Sequence, residues 1–74
     1  VRRTVFSAAG ELAYLAGRMA FDSGEHEAAW RDFRTAVHLA DEAGDAPLAG
    51  HVLRAMAHQA VDLGQPSDRR LLGR

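Results

Sequence analysis

The sequence predicts an all-α fold of antiparallel helix hairpins, stacked as a right-handed solenoid fragment. Three observations carry that expectation. Apolar residues recur at helical spacing along three stretches, and no segment alternates as a strand would. Glycines close the stretches, at Gly24, Gly44 and Gly64, and only short links separate one stretch from the next. Gly24 and Gly64 stand forty residues apart, a period that belongs to stacked helical units.

The first helix is expected from about Thr4 to Asp22, with apolar residues at 5, 8, 9, 12, 15, 16, 19 and 20. Alanines widen that face, as in a helix packed by neighbours on two sides. Ser23-Gly24 ends it, because glycine readily takes the left-handed conformation that follows a helix C-terminus.

A second helix is expected from Glu25 to about Ala43, with Glu25 and Glu27 near its positive end. Ala28, Ala29, Phe33, Ala36, Val37 and Ala40 form its inner stripe, extended to one side by Trp30.

Asp45-Ala46-Pro47 then reads as a helix start. Asp45 can cap the free amides, and proline in a first turn loses no intrahelical bond. This third helix should run to about Leu63, with Leu48, Val52, Leu53, Met56, Ala57 and Ala60 inward. Gly64-Gln65-Pro66 repeats the stop-and-start signal, but the run after it holds only weak pattern. Residues 1–66 are therefore read as the hairpin array and 67–74 as a degenerate or truncated fourth helix. Short links force consecutive helices to pack antiparallel. A free-standing three-helix bundle is the alternative architecture.

Composition narrows the function classes. A chain of 74 residues forms at most one small domain, burying roughly 60–65% of the surface it exposes when unfolded. It has no cysteine, so neither disulfides nor thiolate-metal sites reinforce it. Net charge is −1 with both signs interspersed, which provides no field for nucleic-acid or membrane attraction. No apolar window approaches the ~18 residues of a membrane span, and the run after Arg2-Arg3 is too short for a secretory signal. The expectation is a cytoplasmic protein. Lysine, isoleucine and asparagine are absent, the bias of a GC-rich genome. Starting at Val1, the chain reads as a fragment or as one begun at a non-standard codon.

The first hairpin resembles a tetratricopeptide repeat. The small pair Ala16-Gly17, the turn glycine Gly24, then Ala29, Phe33 and Ala36 all stand where that motif wants them. Departures are Ala13 at the usual leading tryptophan and the lack of a proline closing the second helix. In the second copy Ala57 and Gly64 match, whereas Arg69 and Gly73 replace a small residue and an aromatic. More narrowly, G-E-L-A-Y-L-A-G-R-M-A-F-D-S-G (10–24), A-D-E-A-G-D (40–45) and H-V-L-R-A-M-A-H-Q-A (51–60) are similar to the tetratricopeptide-like region of actinobacterial helix-turn-helix transcriptional regulators. The resemblance spans about residues 1–66. It implies a sensor or partner-binding module, with no DNA readout by these residues.

In such arrays the first helix of each hairpin lines a concave groove. The resemblance places Tyr14, Arg18, Phe21 and Asp22 there from the first hairpin, and His51, Arg54, His58 and Asp62 from the second. Spacing alone puts 51, 54, 58 and 62 on one polar stripe, and Tyr14 with Arg18 on another. Arginine and tyrosine suit recognition of carboxylates and peptides. The competing reading is the solvated face that any amphipathic helix carries.

Other chemistries find no support. His51 and His58 are two turns apart, roughly 10 Å along the axis, which is too far for one ion. Ser7, Ser23 and Ser67 lack a nucleophile-elbow context, and Gly10 and Gly17 make no phosphate loop. The expected function is a non-catalytic sensor of a protein, peptide or small signalling ligand, without cofactor or metal, in a bacterial transcriptional regulator. The alternative is a self-association module giving a homo-oligomer through Leu48, Val52, Leu53 and Met56 of the third helix.

Overall fold

The computed structural model describes residues 2–64, with side chains through Val61. Three helices pack as a small bundle: α1 (Arg2–Asp22), α2 (His26–Ala43) and α3 (Ala46–Gly64). The expected fourth segment, 67–74, lies outside the described residues, as does Pro66.

Both links are built the same way. The amide of Gly24 bonds to the carbonyl of Phe21 and that of Glu25 to Ala20, at 3.0 and 2.9 Å. At the end of α2 the amide of Gly44 bonds to Asp41 and that of Asp45 to Ala40, again at 3.0 and 2.9 Å. This paired pattern satisfies the last carbonyls of a helix and requires a left-handed residue at its centre. Gly24 has φ +83° and Gly44 φ +67°.

The start of α3 is capped as its sequence implies. Asp45 Oδ1 accepts a hydrogen bond from the Leu48 amide at 3.1 Å. Its second oxygen, Oδ2, accepts one from the Ser7 hydroxyl of α1 at 2.9 Å, a link across the chain that spacing does not reveal. Glu25, by contrast, stands at the N-cap of α2 without a side-chain capping bond, and Glu27 is the acid of the first turn.

Packing fixes the directions of the helices. A Cβ placed on Gly17 would meet the ring of Phe33 and the carbonyl of Ala29. One placed on Gly10 would meet the carbonyl of Ala36 and Cβ of Leu39. Descending α1 thus ascends α2, so the two are antiparallel. The same Gly10 position approaches Leu48, and Tyr14 meets the His51 ring edge-on, so α3 runs alongside α1 in the same direction.

Ala29, Phe33 and Ala36 of α2 and Val52 of α3 form the buried core. Around it pack Ala13, Tyr14, Ala20 and Phe21 of α1, Trp30 and Val37 of α2, and Leu48 and Met56 of α3. The expected inner stripe of α2 is buried or half-buried throughout. On α1, however, Val5, Ala8, Leu12, Leu15, Ala16 and Met19 of the expected packed face are exposed. The rest of the chain packs instead on the Gly10, Ala13, Tyr14 and Gly17 side of that helix. On α3, Leu53, Ala57 and Ala60 are exposed as well. They lie about 80–140° around the helix from Val52, and α1 and α2 cover only the Val52 side.

Candidate functional site

The surface built by α1 and α3 holds most of the expected groove residues. Tyr14 projects from the middle of α1 between two rings. Its centroid lies 5.8 Å from that of Phe33 and 5.0 Å from that of His51, the latter edge-on at 65°. Phe33 anchors the tyrosine from below, because it is fully buried. Aromatic pairs prefer such tilted and edge-to-face geometry, which fixes the ring.

His51 reaches Tyr14 because of how α3 begins. Asp45 caps α3 through Leu48 and is held to α1 through Ser7, so one carboxylate sets both the start of α3 and its height along α1. One and a half turns later that register delivers His51 to Tyr14. Ser7 is the positioning residue that sequence reading missed. Its signal would have been a hydroxyl on the same end of the bundle as a capping aspartate, visible only once the hairpin is assembled.

From the Tyr14–His51 contact two polar rows run in the same direction. On α1 Arg18 stands one turn beyond Tyr14 and is exposed; Asp22 follows it, also exposed. On α3 Arg54 and His58 follow His51, and all three are exposed. The Arg54 guanidinium lies back along its own helix, its Nη1 3.5 Å from where a Cβ on Gly50 would be. Asp62 has its side chain outside the described part of the chain. Phe21 is placed differently from its neighbours. It is half-buried, packed on the core and against the His26 ring at 4.9 Å, so it closes the end of the α1/α2 hairpin.

The residues expected to mediate self-association through α3 divide between interior and surface. Val52 is fully buried inside the chain, and Leu48 and Met56 pack on the core beside it. Leu53 stands apart, exposed on another face.

Two shallow depressions lie elsewhere, both on α2. One of 480 Å³ is lined by Gly24, Glu25, His26, Glu27, Ala28 and Arg31. The other, of 410 Å³, is lined by Glu27, Trp30, Arg31 and Arg34. Trp30 borders the second while its ring meets Phe33 edge-on at 6.2 Å and 82°, so it serves packing as well as surface. Both are open and mix acids with bases, which favours no single charge of ligand.

Among the described residues no group of three His, Asp or Glu side chains is placed to hold a metal ion. No helix among them is long and apolar enough to cross a membrane. What the α1/α3 surface offers chemically is a pair of guanidinium forks, the His51 imidazole and a braced tyrosine, groups whose hydrogen-bonding suits carboxylates and polar chains. The chain matches no family model, no curated protein and no solved structure.

Proposed function

We propose that this chain is a non-catalytic recognition module that binds an acidic peptide or protein segment across the α1/α3 surface. The observation that carries the reading is the Tyr14–His51 contact at 5.0 Å, which joins the polar rows of α1 and α3 into one surface. Arg18 and Arg54 supply the charged hydrogen bonds, Tyr14 the stiff aromatic area, and His51 a further donor. Asp22 bounds the surface and disfavours a purely anionic ligand such as a nucleic-acid backbone.

The reading extends to a tetratricopeptide-like unit and to the sensor part of a bacterial transcriptional regulator. Supporting the first are Gly17 against Phe33, the buried Ala29 and Ala36, the left-handed Gly24, and α3 lying beside α1 as the first helix of a following hairpin would. The second rests on the sequence resemblance of residues 10–24, 40–45 and 51–60.

Selection of random carboxylate-bearing peptides against the immobilised chain tests the proposal. A selected peptide should lose about tenfold or more in affinity with Arg54→Ala and with Arg18→Ala, as removal of a charged hydrogen bond implies. Circular dichroism should show unchanged helicity in both. Selected peptides that bind both variants as tightly as the parent would refute the assignment.

A further inference from the structure

The face of α1 turned away from α2 and α3 is apolar. Val5 is 59% exposed, Leu12 68%, Leu15 53% and Met19 70%. With the exposed Ala8 these residues step by three, four, three and four, the spacing of a coiled-coil seam. A helix that merely lies on a bundle shows one apolar stripe. Here α1 has two, one facing its own chain and one facing solvent.

We propose that a second copy of this chain covers the outer stripe, the two α1 helices pairing antiparallel about a two-fold axis between Leu12 and Leu15. The seam is self-complementary in that register. Leu12 sits on the partner's Leu15 and Met19 on the partner's Ala8, each in both directions, so the central large residues meet each other or a small one. Val5 falls opposite the partner's Asp22 at either end of the seam. Along one flank Glu11 stands opposite the partner's Arg18, and Arg18 opposite the partner's Glu11. Both are exposed and available for this pairing. Along the other flank Ala9 meets the partner's Ala16, which lets the backbones approach.

Charge selects this arrangement over its neighbours. Sliding the pair by one heptad puts Glu11 against the partner's Glu11, a like-charge contact that disfavours the shifted register. Parallel pairing puts Glu11 beside the partner's Ala16 and Arg18 beside its Ser23, with no compensation for either charge. Because Glu11 and Arg18 lie on the same side of α1 as Tyr14's polar row, the antiparallel dimer would join the two α1/α3 surfaces into one. The seam itself does not depend on what those surfaces bind.

Sedimentation equilibrium of the 74-residue chain across micromolar to millimolar concentration tests the proposal. The expected result is a monomer–dimer equilibrium that Leu12→Asp weakens by about tenfold or more, with helicity unchanged because Leu12 is solvent-facing in the monomer. Glu11→Arg and Arg18→Glu should each weaken the dimer, and the double reversal should restore it. A chain that stays monomeric throughout, as when a preceding hairpin of a longer chain is the natural cover, would overturn the inference. So would a dimer indifferent to Leu12→Asp but dissolved by Leu53→Asp, which would place the contact on α3, or a double reversal that fails to restore association.

Discussion

A side-chain carbon on Gly17 would lie 2.7 Å from both Cδ1 and Cε1 of Phe33. The absent methyl is what lets α1 and α2 close on each other at mid-hairpin, and the ring of Phe33 fills the space it leaves. Tyr14 and Trp30 flank that ring, so it cannot swing aside. Glycine inside a helix costs about 1 kcal/mol of propensity relative to alanine. The packing gained by close approach has to exceed that.

Gly17→Ala therefore sets two effects against each other, and the clash should win. Propensity returns about 1 kcal/mol, whereas forcing a carbon into a filled core removes about 1–3 kcal/mol. With the obstructing atoms belonging to a rigid, fully buried ring, the upper half of that range applies. Urea denaturation should show net destabilisation of about 1 kcal/mol or more. Gly10→Ala is the control. Its new carbon would meet chiefly Cδ2 of Leu48 at 3.1 Å, the end of a half-buried flexible side chain that can turn away. That variant should come out near neutral or slightly stabilised. Equal losses in the two variants would mean that Phe33 is not the obstruction.

Asp45 performs two tasks, and they can be separated. Ser7→Ala removes only the hydroxyl donor to Oδ2 and should destabilise by about 1–2 kcal/mol, typical of a partly buried hydrogen bond to a charged group. Asp45→Ala removes that bond and the cap on the Leu48 amide together, with a capping loss of about 1 kcal/mol in addition. Once Asp45 is alanine, Ser7→Ala should have almost no further effect. A double-mutant cycle measured by denaturant unfolding reads the coupling directly, and strictly additive losses would show that the two side chains do not act on each other. Loss of the Ser7 bond should also shift α3 along α1, detectable as altered ring-current shifts between Tyr14 and His51.

Most of the helical layout was legible before the fold was in view, because it is written in local rules. Glycine stops, the Asp45–Pro47 start and the 3.6-residue period of Ala29, Phe33, Ala36 and Ala40 need no knowledge of distant neighbours. The surface residues were legible only as rows. Spacing grouped Tyr14 with Arg18 and His51 with Arg54 and His58, but the distance between rows depends on how α3 is seated on α1. That seating is set by Ser7 and Gly10 on α1 and by Asp45, 38 residues after Ser7, and none of them carries a pattern as a single residue. Phe21 and Leu53 show the complementary failure. The resemblance places Phe21 in the groove, and the period places Leu53 inward together with Val52. Only assembly decides that Phe21 turns in to the hairpin end and that Val52 rather than Leu53 enters the core.

The two left-handed glycines provide the cleanest quantitative test, since at neither does space intervene. A Cβ on Gly24 would have nothing within 4 Å, and one on Gly44 would meet only the Arg3 guanidinium carbon at 3.9 Å, an ordinary contact. Any loss on substitution must therefore come from backbone conformation. For an L-residue held at positive φ that loss is about 1–2 kcal/mol, offset slightly by the lower entropy of the unfolded alanine chain. Gly24→Ala and Gly44→Ala should thus each destabilise by about 1 kcal/mol, equivalent to about 4–8 °C in Tm for a domain of this size. Gly24→Asn should lose distinctly less, because asparagine tolerates the left-handed region through its local side-chain hydrogen bonding. Thermal unfolding followed at 222 nm checks all three. Should Asn and Ala at position 24 prove equally damaging, the turn would be opposing the side chain sterically and not through φ.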